Sequence, residues 1–195
     1  MPIFDINGQP LVHHLELVRE IKNIEFCGGT GFFGKKEFPL CYSTDLVLPK
    51  MEHFTKFPDD YEKQSCHYLD GVCDFYNPPF NGRTFDNIVI CNPYEVGFNG
   101  KYQTKNFLSK VQQLLDKNGK LTLLGSSKNP WSKFKNLNKY YYKLIEEGEV
   151  TDVFNIDLQK LEEDHYYRSN YKFYVTGLGQ ETIPDELIII RKKIA

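Results

Sequence analysis

An apolar run at Ile24 ends in Glu25-Phe26 and passes directly into Cys27-Gly28-Gly29-Thr30-Gly31-Phe32-Phe33-Gly34. Glycines in such a turn let the backbone approach a ligand, because no Cβ stands in the way. A helix that follows turns its first N–H groups toward that ligand. On its own the Gly29-x-Gly31-x-x-Gly34 spacing recurs in many glycine-containing loops. Here more polar residues follow at the ends of later apolar runs: Asp45 after the second, Asp74 with Phe75 after the third, and Asn92-Pro93-Tyr94 after the fourth. An acid placed like Asp45 can accept from both hydroxyls of a ribose. An acid placed like Asp74 can accept from the exocyclic amine of a purine whose face Phe75 covers. The chain has no Gly-Lys-Ser/Thr phosphate loop, so the set describes an adenosine pocket with no seat for a polyphosphate.

These residues need a scaffold that brings strand ends to one edge. Turn chemistry occupies Asp5 to Pro10, and apolar positions 11, 12, 15, 17, 18 and 21 suit an amphipathic helix. Strands are expected at Ile24–Phe26, over Phe38–Leu48, at His67–Cys73, at Asn87–Cys91 and at Leu121–Leu124. Asn87–Cys91 is an unbroken apolar run, as in a strand covered on both faces. Met51 to Cys66 reads as a polar helical connector. Thr104–Leu115 carries a helical stripe, with Asn118-Gly119 as its stop. A further helix spans Lys133–Glu147 and closes at Gly148. Tyr171–Thr176 and Glu186–Arg191 read as a terminal antiparallel hairpin. Alternating strands and helices predict an α/β fold, a mostly parallel sheet with helices on both faces.

The 195 residues read as one domain, with residues 1–10 as an N-terminal extension. A net charge of −2 gives no support for an extensive nucleic-acid-binding face. The five Cys form no Cys-x-x-Cys pair and share no ligand spacing with the five His, so no metal site is expected. No apolar segment approaches the ~20 residues that span a bilayer. The start at Met1-Pro2-Ile3-Phe4-Asp5 lacks the basic end and apolar core of a signal peptide, so the expected compartment is the cytoplasm.

Taken in order, the motifs resemble those of the class I S-adenosylmethionine-dependent methyltransferases. Glu25 to Gly31 is similar to their acidic, glycine-rich first motif. Thr44-Asp45-Leu46 resembles the acid ending their second strand, and Asp74 through Asp86 their third motif running into the fourth strand. Leu114 to Leu121 resembles the approach to their fifth. The likeness covers about residues 11 to 193 and implies a Rossmann-like seven-stranded sheet closed by an antiparallel hairpin. It also implies S-adenosylmethionine as cofactor, with Glu25, Gly29, Gly31, Asp45, Asp74 and Phe75 around it. Cys27 stands where the family has its first glycine. The interval from Gly31 to Asp45 is short, so a truncated first helix is expected.

Several acceptors fit. Asn92-Pro93-Tyr94 resembles an Asn/Asp-Pro-Pro-aromatic motif that holds the amine of a base or amide, with one proline missing; a plain strand-to-loop turn fits as well. Trp131 and Lys128, after the fifth strand, suit stacking on an anionic acceptor, or a solvated loop. Without a recognition domain or a broad basic face, a small molecule or protein side chain is the first expectation. N-methylation of a nucleobase in RNA or DNA is the second, and a methyltransferase-like domain that binds a partner protein is the third.

Overall fold

The computed structural model describes residues 21–28, 31–46, 69–78, 80, 82–93, 96, 98–130, 133–175 and 180–194. The helix expected from Leu11, the Met51–Cys66 connector, the N-terminal extension, Cys66, Gly29, Tyr94 and Trp131 lie outside them. The strands are β1 Asn23–Phe26, β2 Tyr42–Asp45, β3 Gly71–Val72, β4 Phe85–Cys91, β5 Leu115–Gly125, β6 Phe154–Lys160, β7 Phe173–Val175, β8 Gln180–Thr182 and β9 Glu186–Lys192. The helices are α1 Phe32–Glu37, α2 Lys101–Leu114, α3 Phe134–Glu146 and α4 Tyr166–Asn170.

Seven strands form the main sheet in the order β3-β2-β1-β4-β5-β9-β6, and β7 pairs with β8 as a separate ribbon. The β1–β2, β2–β3, β1–β4 and β4–β5 pairs are parallel, while β9 runs antiparallel to both β5 and β6. All the parallel strands therefore deliver their carboxyl ends to one edge. Glu186, at the start of β9, pairs with Gly125 on that same edge.

The sheet separates two cores, as the two-residue period of a strand requires. Ile88 and Ile90 of β4 face one side with Leu121, Leu123, Ile188 and Ile190, under α2 and α3. Val89 and Cys91 face the other with Leu124 and Leu187, under Phe33 of α1 and under Tyr171 and Phe173. In α2 the buried Thr104, Phe107, Leu108, Val111 and Leu114 mark one helical stripe. At the end of α3, Gly148 takes φ 70, and the N–H groups of Gly148 and Glu149 return to Ile145 O and Leu144 O. That is the left-handed glycine stop expected there.

Three sequence expectations need correction. Asn118-Gly119 does not cap α2, which ends at Leu114; β5 begins at once with Leu115. Gly119 lies inside β5, where a Cβ would come within 2.8 Å of Phe85 O and 2.9 Å of Asp86 O. It is needed for close approach to β4 at the register irregularity between Phe85 and Asn87. The antiparallel partner of β9 at the sheet edge is β6, not the segment from Tyr171, which pairs within the β7–β8 ribbon. The β6 strand itself is unforeseen in the sequence reading. The second strand begins at Tyr42, later than Phe38. The first helix is truncated to Phe32–Glu37, as the short interval implies.

Candidate cofactor and acceptor site

The glycine loop is built around Glu25. This carboxyl is completely buried, and its Oε1 accepts from Gly34 N–H at 3.0 Å. A Cβ on Gly28 would stand 2.9 Å from Oε2, and one on Gly34 only 2.5 Å from it. Gly31, at the N-terminus of α1, takes φ 73 and its N–H donates to Gly28 O at 2.8 Å. Three glycines thus answer two needs: Gly28 and Gly34 leave room for a carboxylate and Gly31 makes the turn. Across to β2, Gly28 N–H donates to Thr44 O at 2.9 Å and the Thr44 hydroxyl to Glu25 O at 2.8 Å. The loop is thereby locked to the neighbouring strand.

Glu25 Oε2 has no hydrogen-bond partner among the described residues. Burial lifts the Glu25 pKa from its ordinary 4.5 to about 7; the Ser43 hydroxyl and Gly34 N–H pull it back, Asp45 adds to the rise and Lys35 opposes it. Beside it, Cys27 takes φ 54, a left-handed conformation that glycine adopts freely and other residues at a cost. The thiol pKa is raised well above its usual range, first by burial and then by the carboxylates of Asp45, Glu25 and Asp74. Those three acids, from the ends of β1 and β2 and from just beyond β3, therefore all lie within electrostatic reach of Cys27. Burial also pushes the Cys41 and Cys73 thiols up to about 12, which leaves no thiolate nucleophile there.

Asp45 Oδ1 accepts from Leu46 N–H at 2.6 Å, and Asp74 Oδ1 from Tyr76 N–H at 2.9 Å, so both acids shape the turns they begin. Phe75 is a correction: it is 3% exposed, packed edge-on against Phe26 at 5.2 Å and beside Phe107 at 5.4 Å. Its ring belongs to the core, not to the face of a pocket. Among the described residues, apolar groups left open at this edge include Leu46, 58% exposed, and Tyr76, 37% exposed. The sequence reading singled out neither, although each closely follows a strand-end acid.

Across the switch point between β1 and β4, Asn92 is also left-handed, with φ 47. Cys27 and Asn92 end the two strands that flank the switch, where an open α/β sheet binds ligands; retained backbone strain is characteristic of such sites. Asn92 N–H donates to Leu124 O at 2.7 Å. From the loop after β5, the buried Asn129 donates through Nδ2 to Asn92 Oδ1 at 3.0 Å and to Pro93 O at 3.2 Å. Ser127 donates to Asp185 through its N–H at 2.6 Å and its hydroxyl at 2.5 Å, and Lys133 Nζ donates to Ser127 O at 3.0 Å. Lys128 is exposed on the same loop. A groove of about 520 Å³ between α2, α3 and β6, lined in part by Leu108, Tyr141 and Phe154, contains none of these residues.

The sheet order decides the architecture: three strands run outward from the switch on one side and four on the other, with β9 alone reversed. The chain has the class I methyltransferase fold. Among solved structures it is similar, over 97% of its length, to 94% of the PH0226 protein from Pyrococcus horikoshii OT3, at 12% identity and a TM-score of 0.50. It is likewise similar, over 98% of its length, to 85% of a chain from work on the conversion of a disulfide bond into a thioacetal group during echinomycin biosynthesis, at 12% identity and a TM-score of 0.51. No family model and no curated protein matches the chain by sequence. Among the described residues of this methyltransferase fold, no helix is long and apolar enough to cross a membrane and no His, Cys, Asp and Glu cluster could hold a metal ion.

Proposed function

We propose that this methyltransferase fold binds S-adenosylmethionine and transfers its methyl group. The observation that carries the reading is the placement of Glu25, Asp45 and Asp74 in or just beyond the ends of neighbouring parallel strands, on the edge that bears the glycine loop. The site suits the cofactor: a buried carboxylate oxygen without a partner lies beneath the loop, and two acids stand farther along the same edge. Asp45 accepts from the ribose hydroxyls, Asp74 accepts from the adenine amine, and Leu46 and Tyr76 flank the adenosine. Gly29 and Gly31 allow the chain to come close to the methionine end. When bound, the cofactor supplies an electrophilic methyl carbon. The protein holds the nucleophile in line with it and excludes water; a base is needed only for acceptors that carry a proton to lose.

A second reading is methyl transfer to an exocyclic amine of a nucleobase, and the anchoring of Asn92 supports it. With Asn129 fixing Asn92 Oδ1 and Pro93 O, the carbonyl acceptors at this corner are held still. Tyr94 is the aromatic residue for stacking on that base. Incubation with tritiated-methyl cofactor and fractionated RNA, DNA, protein and metabolite extract tests both readings. Label in any fraction above an enzyme-free control supports methyl transfer, and label in nucleic acid supports the second reading. No label in any fraction contradicts the first, and label confined to protein or small molecules contradicts the second.

A further inference from the structure

From Ser126 to Ile145 the chain contains no Asp or Glu, but it contains Lys128, Lys133, Lys135, Lys139 and Lys143. In a protein of net charge −2 this is a concentrated basic segment. It starts at the acceptor corner: Lys133 is bonded to Ser127 O in the loop that holds Asn92 through Asn129. It then runs down α3. The buried residues of that helix are Phe134, Leu137, Tyr141 and Leu144. Lys135, Lys139 and Tyr142, spaced i, i+4 and i+7, share the opposite exposed face. Tyr142 is 51% exposed, and Lys139 Nζ lies 5.6 Å from the ring centre of Tyr140. Neither Lys135 nor Lys139 forms an ion pair among the described residues, whereas Lys101, Lys105 and Lys143 are engaged by Glu147 and Glu149.

We infer that the exposed face of α3 is a track for a single-stranded nucleic acid whose bases reach the Asn92 corner. Charge complementarity requires a polyanion. The interleaved exposed tyrosine fits unpaired bases, which stack on aromatic rings, better than an acidic protein, which has no use for them. The face is one helix wide, and Lys135 to Tyr142 spans about 10 Å along the axis, a length suited to a few nucleotides of one strand. This deepens the methyl-transfer reading by naming the acceptor class, and it rests on that reading only for the word acceptor.

Fluorescence anisotropy with labelled oligo-U and oligo-dT, in increasing KCl, tests the track on the full chain. If about four lysines contact phosphates, log K falls with log salt with a slope of about −3. The Lys135→Gln/Lys139→Gln protein, altered only at exposed positions, should reduce that slope by about 1.4 and bind at least about tenfold more weakly at low salt. Tyr142→Ala should weaken binding without changing the slope. The RNA and DNA arms identify which polymer is preferred. Unchanged affinity in the double variant, or equal competition by polyglutamate of the same charge, overturns the proposal; a matching melting temperature shows that the variant is folded. S-adenosylhomocysteine titrated into the same two proteins tests the cofactor reading separately, because the track variants leave that site intact.

Discussion

Replacing Glu25 with Gln isolates the charge of one buried carboxyl. Glu25 is completely buried, one of its oxygens has no partner among the described residues, and its pKa stands at about 7 against an ordinary 4.5. Because the folded-state value is the higher one, the contribution of this group to stability is whole below pH 4.5 and disappears as the pH rises through 7. With those two values, the wild-type protein loses about 2.5 kcal/mol of unfolding free energy from this group between about pH 5 and about pH 8. Glutamine keeps an acceptor for Gly34 N–H and has nothing to ionise. Urea unfolding of both proteins across that range gives the difference directly, and other titrating groups cancel in it. Relative to wild type, Glu25→Gln should gain stability by about 2–3 kcal/mol as the pH rises. Parallel pH profiles would refute the claim that this carboxylate is ionised against its burial.

Gly34→Ala would place a Cβ 2.5 Å from Glu25 Oε2 and 2.7 Å from its Cδ, so it should destabilise strongly. In Glu25→Ala that cost should fall but not vanish, because the Cβ of residue 25 would still lie 2.9 Å away, and a double-mutant cycle by urea unfolding measures the coupling. Cys27→Gly should relieve left-handed strain and raise stability by about 1 kcal/mol, read as a rise of about 2–4 °C in thermal melting; a lower Tm would mean that packing of the thiol outweighs strain. Asn129→Ala removes the donor to Asn92 Oδ1 and Pro93 O and should cost about 1–3 kcal/mol, with S-adenosylhomocysteine affinity unchanged by calorimetry if the pair belongs to the acceptor side.

Much of the scaffold was readable because its signals are local. The run Ile88-Val89-Ile90-Cys91 is buried on both faces and has no polar residue to confuse it. The helix before Gly148 ends where a left-handed glycine must stand. Asn118-Gly119 misleads because the same dipeptide suits a cap or a tight approach between strands, and the difference lies in Phe85 and Asp86, far back in the sequence. The β6 strand alternates Phe154, Ile156 and Leu158 with Asn155, Asp157 and Gln159. That two-residue period was the available signal, concealed by the polar character of an edge strand. The strand-end positions of the acids at 25, 45 and 74 were legible from order alone. The core position of Phe75 and the exposure of Tyr76 were not, because which of two adjacent rings turns inward is decided by Phe26 and Phe107 across the fold.

The central claim is that the edge defined by Glu25, Asp45 and Asp74 holds an adenosine-bearing cofactor. Isothermal titration of S-adenosylhomocysteine into the wild-type protein and into Asp45→Ala tests it most directly. Binding to the wild type should be saturable and should weaken by at least about 1.5 kcal/mol, roughly tenfold, when the carboxylate is removed. No heat at millimolar ligand, or equal affinity in the two proteins, would contradict it.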